Sequence, residues 1–319
     1  MTPACIVVTG GSGFVGRTLC EQLAARWPGC RVRVPTRRAV NARAVQPLPN
    51  VDVIVADMHN PADAARVLQG ADALVQLVAI LHGSAQDFDR AHVALQRSLA
   101  SACALCGVQR VVQVSALGVG HEAPSAYLRS KAAGEGVWRQ AEQAHPGLDV
   151  RILRPSVIFG EADRFTNLFA GLLRHLPLLP LARADALFQP VWVGDVAQAI
   201  VELVGRDSSE WTGATVEAAG PERLTLGQIV QQVGAMAGCP RPVIGLPEWA
   251  GQLQAGLMAL LPGEPPMSRD NLLSLRVPNV ASGRLPGLQA LGLHPQPLAR
   301  LAAHFAARPD AERWRAQHR

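Results

Sequence analysis

Residues 5–16 read Cys-Ile-Val-Val-Thr-Gly-Gly-Ser-Gly-Phe-Val-Gly (CIVVTGGSGFVG), and their pattern decides the fold. Cys5 to Thr9 is a short β-branched apolar run of the kind that forms a buried strand. Glycines then recur at Gly10, Gly13 and Gly16, and helical spacing begins at about Val15. The first glycine permits a tight turn, the second lets the backbone approach an anion, and the third allows close helix–strand packing. The helix start at Phe14 and Val15 offers backbone N–H groups and the positive end of the helix dipole. Gly11-x-Gly13-x-x-Gly16 fits the same residues, so register alone does not name the subclass.

Outward from this turn the chain alternates. Strand character returns at 31–34, 51–56, 73–78, 111–115 and 150–153, with helical spacing at 89–106 and 126–144. Short apolar strands separated by helices predict an α/β fold, a doubly wound parallel sheet of Rossmann type. Past Pro155 the pattern loosens into Leu- and Pro-rich sequence, a strand–helix segment at 190–203, a strand at 214–218 and a helix at 225–237. The domain reading is a nucleotide-binding core over 1–155, a substrate or partner region beginning at 156–189, a return to the core over 190–218, and a smaller C-terminal α+β region over 219–319. A helix over 248–261 would align Trp249, Leu253 and Leu257 on one face, as a core element or as a surface for a membrane or partner. The charged stretch 308–319 reads as a solvated tail.

Composition narrows the function classes. A chain of 319 residues, 49% hydrophobic and 17% charged, can bury a large core without disulfides or metals. Six dispersed cysteines suit a reducing compartment. The first apolar run meets glycines at once, so no leader is expected, and no apolar stretch reaches 18 clean residues. The protein is therefore expected to be cytoplasmic, or peripheral at the inner face of a membrane. A net charge of +5 from scattered basic residues does not predict nucleic-acid binding.

The glycine turn at the head of an alternating chain predicts a nicotinamide dinucleotide as ligand. The second strand should end beside the adenosine ribose. It reads Val34-Pro35-Thr36-Arg37-Arg38, without the carboxylate that would hold the two hydroxyls of NAD. Guanidinium groups suit a 2′-phosphate, so Arg37 and Arg38 favour NADP(H), with NAD(H) the alternative. Asp57, followed by Met58 at the end of the third strand, is assigned to the adenine side or to a turn cap.

Thirty residues are basic, and all but Lys131 are arginine; Tyr127 is the only tyrosine. The two stand four apart on a helix that Ser125 should cap, which puts them on one face. In a Tyr-x-x-x-Lys pair the ammonium lowers the phenol pKa so that tyrosine can pass a proton at a carbonyl or carbinol. The ammonium can also hydrogen-bond the nicotinamide ribose.

With these motifs the sequence resembles an extended or atypical short-chain dehydrogenase/reductase. The resemblance includes LRPSVIFG (153–160), PVWVGDVA (190–197) and AGPE (219–222). YLRSKAAGE (127–135), IFGEADRF (158–165) and QPVWVGDV (189–196) are similar to the NAD(P)H-binding accessory subunit of respiratory complex I and its bacterial relatives. The family implies that Val78, Ala79 and Ile80, together with Pro155 and Val157, flank the nicotinamide. It also implies a catalytic Ser or Thr near the end of the fifth strand. Here Ala116 can fall at that position, with Ser115 as the proton-network partner or a strand-end cap.

Two readings follow. One is an NADP(H)-dependent oxidoreductase on a carbonyl, alcohol or quinone-related small molecule, with Tyr127 moving the proton. The other is a nucleotide-stabilised accessory subunit or assembly factor with a protein partner in respiration or quinone metabolism. A sugar-nucleotide epimerase or dehydratase shares the fold, but those enzymes usually retain NAD. Cys103-x-x-Cys106 reads as buried helix cysteines, and the nine histidines show no ligand spacing, so no metal is assigned. Glu161, Asp163 and Arg164 could touch substrate or partner, or form a salt-bridged loop, and Asp195 should cap the helix after it.

Overall fold

A computed structural model describes residues 2–206, 209–247, 250 and 268–306. The segments 248–261 and 308–319, read above as an amphipathic helix and a charged tail, fall outside the described residues apart from Ala250.

In chain order the elements are β1 (Cys5–Thr9), α1 (Phe14–Arg26), β2 (Arg31–Thr36), β3 (Val51–Val55), α2 (Pro61–Leu68) and β4 (Ala73–Gln76). Helix α3 (Ala85–Asp89) runs through a π-helical turn (Arg90–Ala94) into α4 (Leu95–Cys106), followed by β5 (Arg110–Val114), α5 (Ala126–Ala144) and β6 (Asp149–Pro155). Next come β7 (Ile158–Phe159), α6 (Arg164–His175), β8 (Leu179–Ala182), β9 (Leu187–Phe188), β10 (Val191–Trp192) and α7 (Val193–Gly205). The described chain continues through β11 (Thr215–Ala218), β12 (Leu224–Thr225), α8 (Leu226–Met236), β13 (Val243–Leu246) and α9 (Arg269–Ser274).

Contacts divide the chain into two units, each taken here by itself. The first comprises 1–155, 193–218 and 281–294; the second comprises 156–192, 219–280 and 295–319. Residues 190–192, expected with the core, group with the second unit, and 281–294, expected in the C-terminal region, group with the first. Hydrogen bonds to Glu217 account for the latter. The Glu217 N–H donates to Pro286 O at 2.9 Å, and the Glu217 carboxylate accepts from the Ser282 N–H at 2.8 Å.

The first unit is a seven-stranded, all-parallel sheet in the order β11-β6-β5-β4-β1-β2-β3. Helices cover both faces, and an inner strand of the sheet is fully enclosed: all five residues of β1 are buried. Helices α1 and α7 pack together, while α2, α4 and α5 close a core around Val7, Leu74, Val111, Leu99 and Trp138. This is the doubly wound Rossmann arrangement that the alternation predicts. Strand order reverses between β1 and β4, which opens a crevice beyond their carboxyl ends where such sheets take ligands.

The second unit gathers an apolar core from Phe159, Phe169, Leu173, Phe188, Ile229 and Val233. Three short strand pairs surround it: β7 with β10, β8 with β13, and β9 with β12.

Candidate functional site

The crevice is built first from Gly10. It lies at φ +76°, and a Cβ there would stand 3.1 Å from the Val78 nitrogen, so only glycine lets the β1 turn sit against the loop that leaves β4. Gly16 is tighter still. A Cβ would meet Gly10 O at 2.4 Å and Gly11 Cα at 2.5 Å, which is how the first turn of α1 crosses the glycine loop. The Gly13 N–H donates to Gly10 O at 2.9 Å, and Gly13 occupies the N-cap of α1 with no side chain to cap it. No acidic residue lies in that first turn, and Phe14 and Val15 are half-buried behind it. An uncapped helix start free of carboxylates favours an anion.

Beside this loop, Thr36 Oγ1 donates to Arg38 O at 3.0 Å and leaves Arg37 and Arg38 exposed. Asp57 closes a turn by accepting from the His59 N–H at 3.1 Å, and Met58 is buried in the core. Burial lowers the His59 pKa; Asp57 opposes the shift, while Arg90 and Arg37 add to it. Arg37 and Arg90 thus bring positive charge to bear on the same imidazole.

Sequence reasoning passed over Gln76. Its fully buried Oε1 accepts from the Val78 N–H at 2.6 Å and from Thr9 Oγ1 at 3.0 Å, and its Nε2 donates to Val78 O at 3.4 Å. The amide pins Val78 from both sides, leaving Ala79 exposed and Ile80 half-buried.

Ser125 caps α5 by accepting from the Leu128 N–H at 3.2 Å. One turn on, Lys131 is buried and donates from Nζ to Val114 O at 2.7 Å, which ties the helix to the end of β5. Burial lowers its pKa to about 8, opposed by Glu135, and Glu135 is itself held in a two-pronged pair with Arg154. The half-buried Tyr127 stands edge-on to His92 and Phe88, with ring centroids 5.6 Å and 6.1 Å away. The sequence reading expects the ammonium to lower the phenol pKa; in the structure burial raises it, to about 12.

Ser115 follows Val114. It is buried, and its Oγ finds no hydrogen-bond partner among the described residues, whereas its N–H donates to Leu153 O at 2.7 Å. Ala116 comes next, and the Leu117 N–H donates to Pro155 O at 2.9 Å. The first unit therefore brings Lys131, Ser115 and Pro155 to the carboxyl ends of β5 and β6. Val157 belongs to the second unit, where its N–H donates to Asn279 Oδ1 at 2.9 Å.

His92 is the other residue missed. It is buried in the π-helical turn, accepts from the Ile80 N–H at Nε2 (3.1 Å), and lies 2.8 Å from Ser130 Oγ at Nδ1. The signal was available: Phe88, His92, Leu95 and Leu99 follow helical spacing, which places an imidazole on a buried face.

Other candidates resolve into structure. Asp163 caps α6, accepting from the Gly160 N–H (3.0 Å) and the Thr166 N–H (2.6 Å). Asp195 lies buried inside the first turn of α7 rather than ahead of it, where its charge suits the helix dipole. Burial raises the Cys103 thiol pKa. Among the described residues no group of three His, Cys, Asp or Glu side chains could hold a metal, and no helix is long and apolar enough to cross a membrane.

Comparison with known proteins adds the following. A sequence model of the NAD dependent epimerase/dehydratase family matches residues 6–219. The mouse protein NADH dehydrogenase [ubiquinone] 1 alpha subcomplex subunit 9, mitochondrial, is 30% identical over 318 residues, covering 96% of this chain and 81% of its own. The NADH-ubiquinone oxidoreductase 40 kDa subunit of Neurospora crassa is 24% identical, covering 93% and 77%. Among solved structures, the dTDP-glucose 4,6-dehydratase DesIV of Streptomyces venezuelae, with NAD bound, aligns over 95% of this chain and 97% of its own with a TM-score of 0.71 at 23% identity. The UDP-glucose 4-epimerase of Thermus thermophilus, in complex with NAD, aligns over 95% and 99% with a TM-score of 0.68 at 21% identity. At such identities the structural likeness is one of fold.

Proposed function

Because this chain belongs to the NAD dependent epimerase/dehydratase family, we propose that it holds a nicotinamide dinucleotide as a structural ligand, as an accessory subunit or assembly factor of a respiratory NADH–ubiquinone oxidoreductase. The observation that carries this reading is likeness to subunits of that enzyme along nearly the whole chain. Beside it, burial raises the Tyr127 pKa to about 12, away from the range in which a general acid or base works near neutrality. The hydroxyl-bearing position that the resemblance implies beside such a tyrosine can fall at Ala116, next to Ser115.

The phosphates would lie on Gly10–Gly16 and the start of α1, with Lys131 toward the nicotinamide ribose and Val78–Ile80 beside the ring. Arg37 and Arg38, with no carboxylate at the end of β2, favour NADP(H) over NAD(H). Bound, the dinucleotide supplies hydride chemistry; the chain's own part here is to bind, orient and enclose it.

A second reading is an oxidoreductase acting on an apolar carbonyl or quinone-related compound. It is favoured by the survival of Tyr127 and Lys131 on one turn in a chain that otherwise uses arginine. The rate of NADPH release from the purified protein separates the two. A structural nucleotide leaves over hours. Release faster than about 10 per second, the scale of ordinary turnover, would overturn the accessory reading in favour of the enzyme.

A further inference from the structure

We infer that His92 is the positioning residue of this site: as its Nδ1–H tautomer it locks the loop leaving β4 to the Tyr127 turn of α5. The inference rests on the reading that the nicotinamide half of a dinucleotide lies at that loop.

Hydrogen-bond direction fixes the tautomer. The Ile80 N–H can only donate, so the Nε2 that faces it at 3.1 Å must be the acceptor. A neutral imidazole has one N–H, which therefore sits on Nδ1 and donates to Ser130 Oγ at 2.8 Å. The Ser130 hydroxyl proton then donates to Tyr127 O at 2.8 Å. Each donor in the chain Ile80–His92–Ser130–Tyr127 has one acceptor. An imidazolium would set two donors face to face at Ile80, so the network holds only a neutral ring. Burial and the nearby Lys131 charge act the same way, lowering the His92 pKa to about 3.

Packing holds the ring in place. It stacks on Phe88 with centroids 5.7 Å apart and meets the Tyr127 edge at 5.6 Å. The π-helical turn carries the His92 carbonyl close to α5, where a Cβ on Gly134 would lie 2.2 Å from that oxygen. The β4 loop is thus fixed twice, at Val78 by Gln76 and at Ile80 by His92, with the exposed Ala79 between them. A ligand lying over Ala79 meets backbone already set in position. The glycine turn and Arg37, which would hold the other end of the dinucleotide, make none of these bonds.

The test uses the full chain, with NADPH and 2′-phospho-ADP-ribose, which lacks the nicotinamide. His92→Phe keeps an aromatic ring and removes both hydrogen bonds; Ser130→Ala removes one link on a helix that tolerates alanine. We expect His92→Phe to weaken NADPH binding about tenfold, the scale of two lost neutral hydrogen bonds, and to leave 2′-phospho-ADP-ribose unchanged. Ser130→Ala should weaken NADPH binding by less and likewise leave 2′-phospho-ADP-ribose unchanged. Amide exchange at Ile80 should quicken about tenfold in His92→Phe, and imidazole nitrogen resonances of the wild type should report Nδ1 protonated. Equal losses for both ligands, no loss for either, or an Nε2–H tautomer would overturn the assignment. Should the wild type bind neither ligand, the nucleotide reading falls on its own. Ile80 exchange then decides the clamp, and unchanged exchange in both variants refutes it.

Discussion

Arg37 is exposed and Thr36 holds the turn before it, so its guanidinium is free to meet an anion without rearranging the strand. Arg37→Asp should therefore leave the fold intact and act on the ligand alone. It should weaken NADPH by roughly 1.5–3 kcal/mol, a charge-assisted hydrogen bond turned into repulsion, and leave NADH unchanged or tighter. Titration calorimetry with both nucleotides checks this, and equal losses would remove the 2′-phosphate assignment. At this scale the sequence was legible where a residue type is rare or its spacing is rigid: Tyr127, Lys131 and the glycines all stand where the pattern puts them. It was illegible where a role depends on enclosure. The shift of Tyr127 follows from burial, and the Phe88 and His92 rings that stand against it lie 39 and 35 positions earlier in the numbering. Gln76 reads as an ordinary polar residue ending a strand until its amide is seen to grip Val78.

Helix α5 carries a built-in comparison between two of its glycines. A Cβ at Gly134 would strike the His92 carbonyl at 2.2 Å, whereas one at Gly136 would meet nothing within 4 Å. Alanine favours a helix over glycine by about 1 kcal/mol, so Gly136→Ala should be neutral or stabilising by up to that amount. Gly134→Ala should instead destabilise by roughly 1–3 kcal/mol, because backbone has to move. Urea unfolding of the two variants is the check; similar midpoints would mean that the two helices do not approach as closely as described. Element boundaries followed the sequence well where apolar runs end in glycine or a cap, and α5 begins after Ser125 as expected. The helical stretch 89–106 was legible as one helix, yet it starts at Ala85 and contains the π-helical turn. One wider turn shifts the apolar phase by a single residue, too small a change to read in a helix of this length.

The first unit draws on three separated stretches of chain, and α7 supplies it with Val196, Ala197, Ile200 and Leu203, all buried. A fragment ending at Pro155 would keep the glycine turn and six strands but lack α7 and β11. It should bind hydrophobic dye strongly, lose sharp thermal unfolding and fail to retain nucleotide. A fragment that melts cooperatively and binds NADPH like the whole chain would contradict this. The alternation of the first 155 residues made the sheet legible. The return of 281–294 to its edge was not, because that stretch joins through the backbone and carboxylate of Glu217, bonds that leave no periodic signature.

The position of β11 also sets a schedule. Strand β6 leaves the ribosome with one edge bare, and its partner follows only after residues 156–214 have been made. At about 5–20 residues per second that interval lasts several seconds, during which a row of backbone donors and acceptors faces the crowded cell. Slow synthesis through this stretch would lengthen the exposure, so codon choice between positions 156 and 214 sets how long that edge waits for its partner.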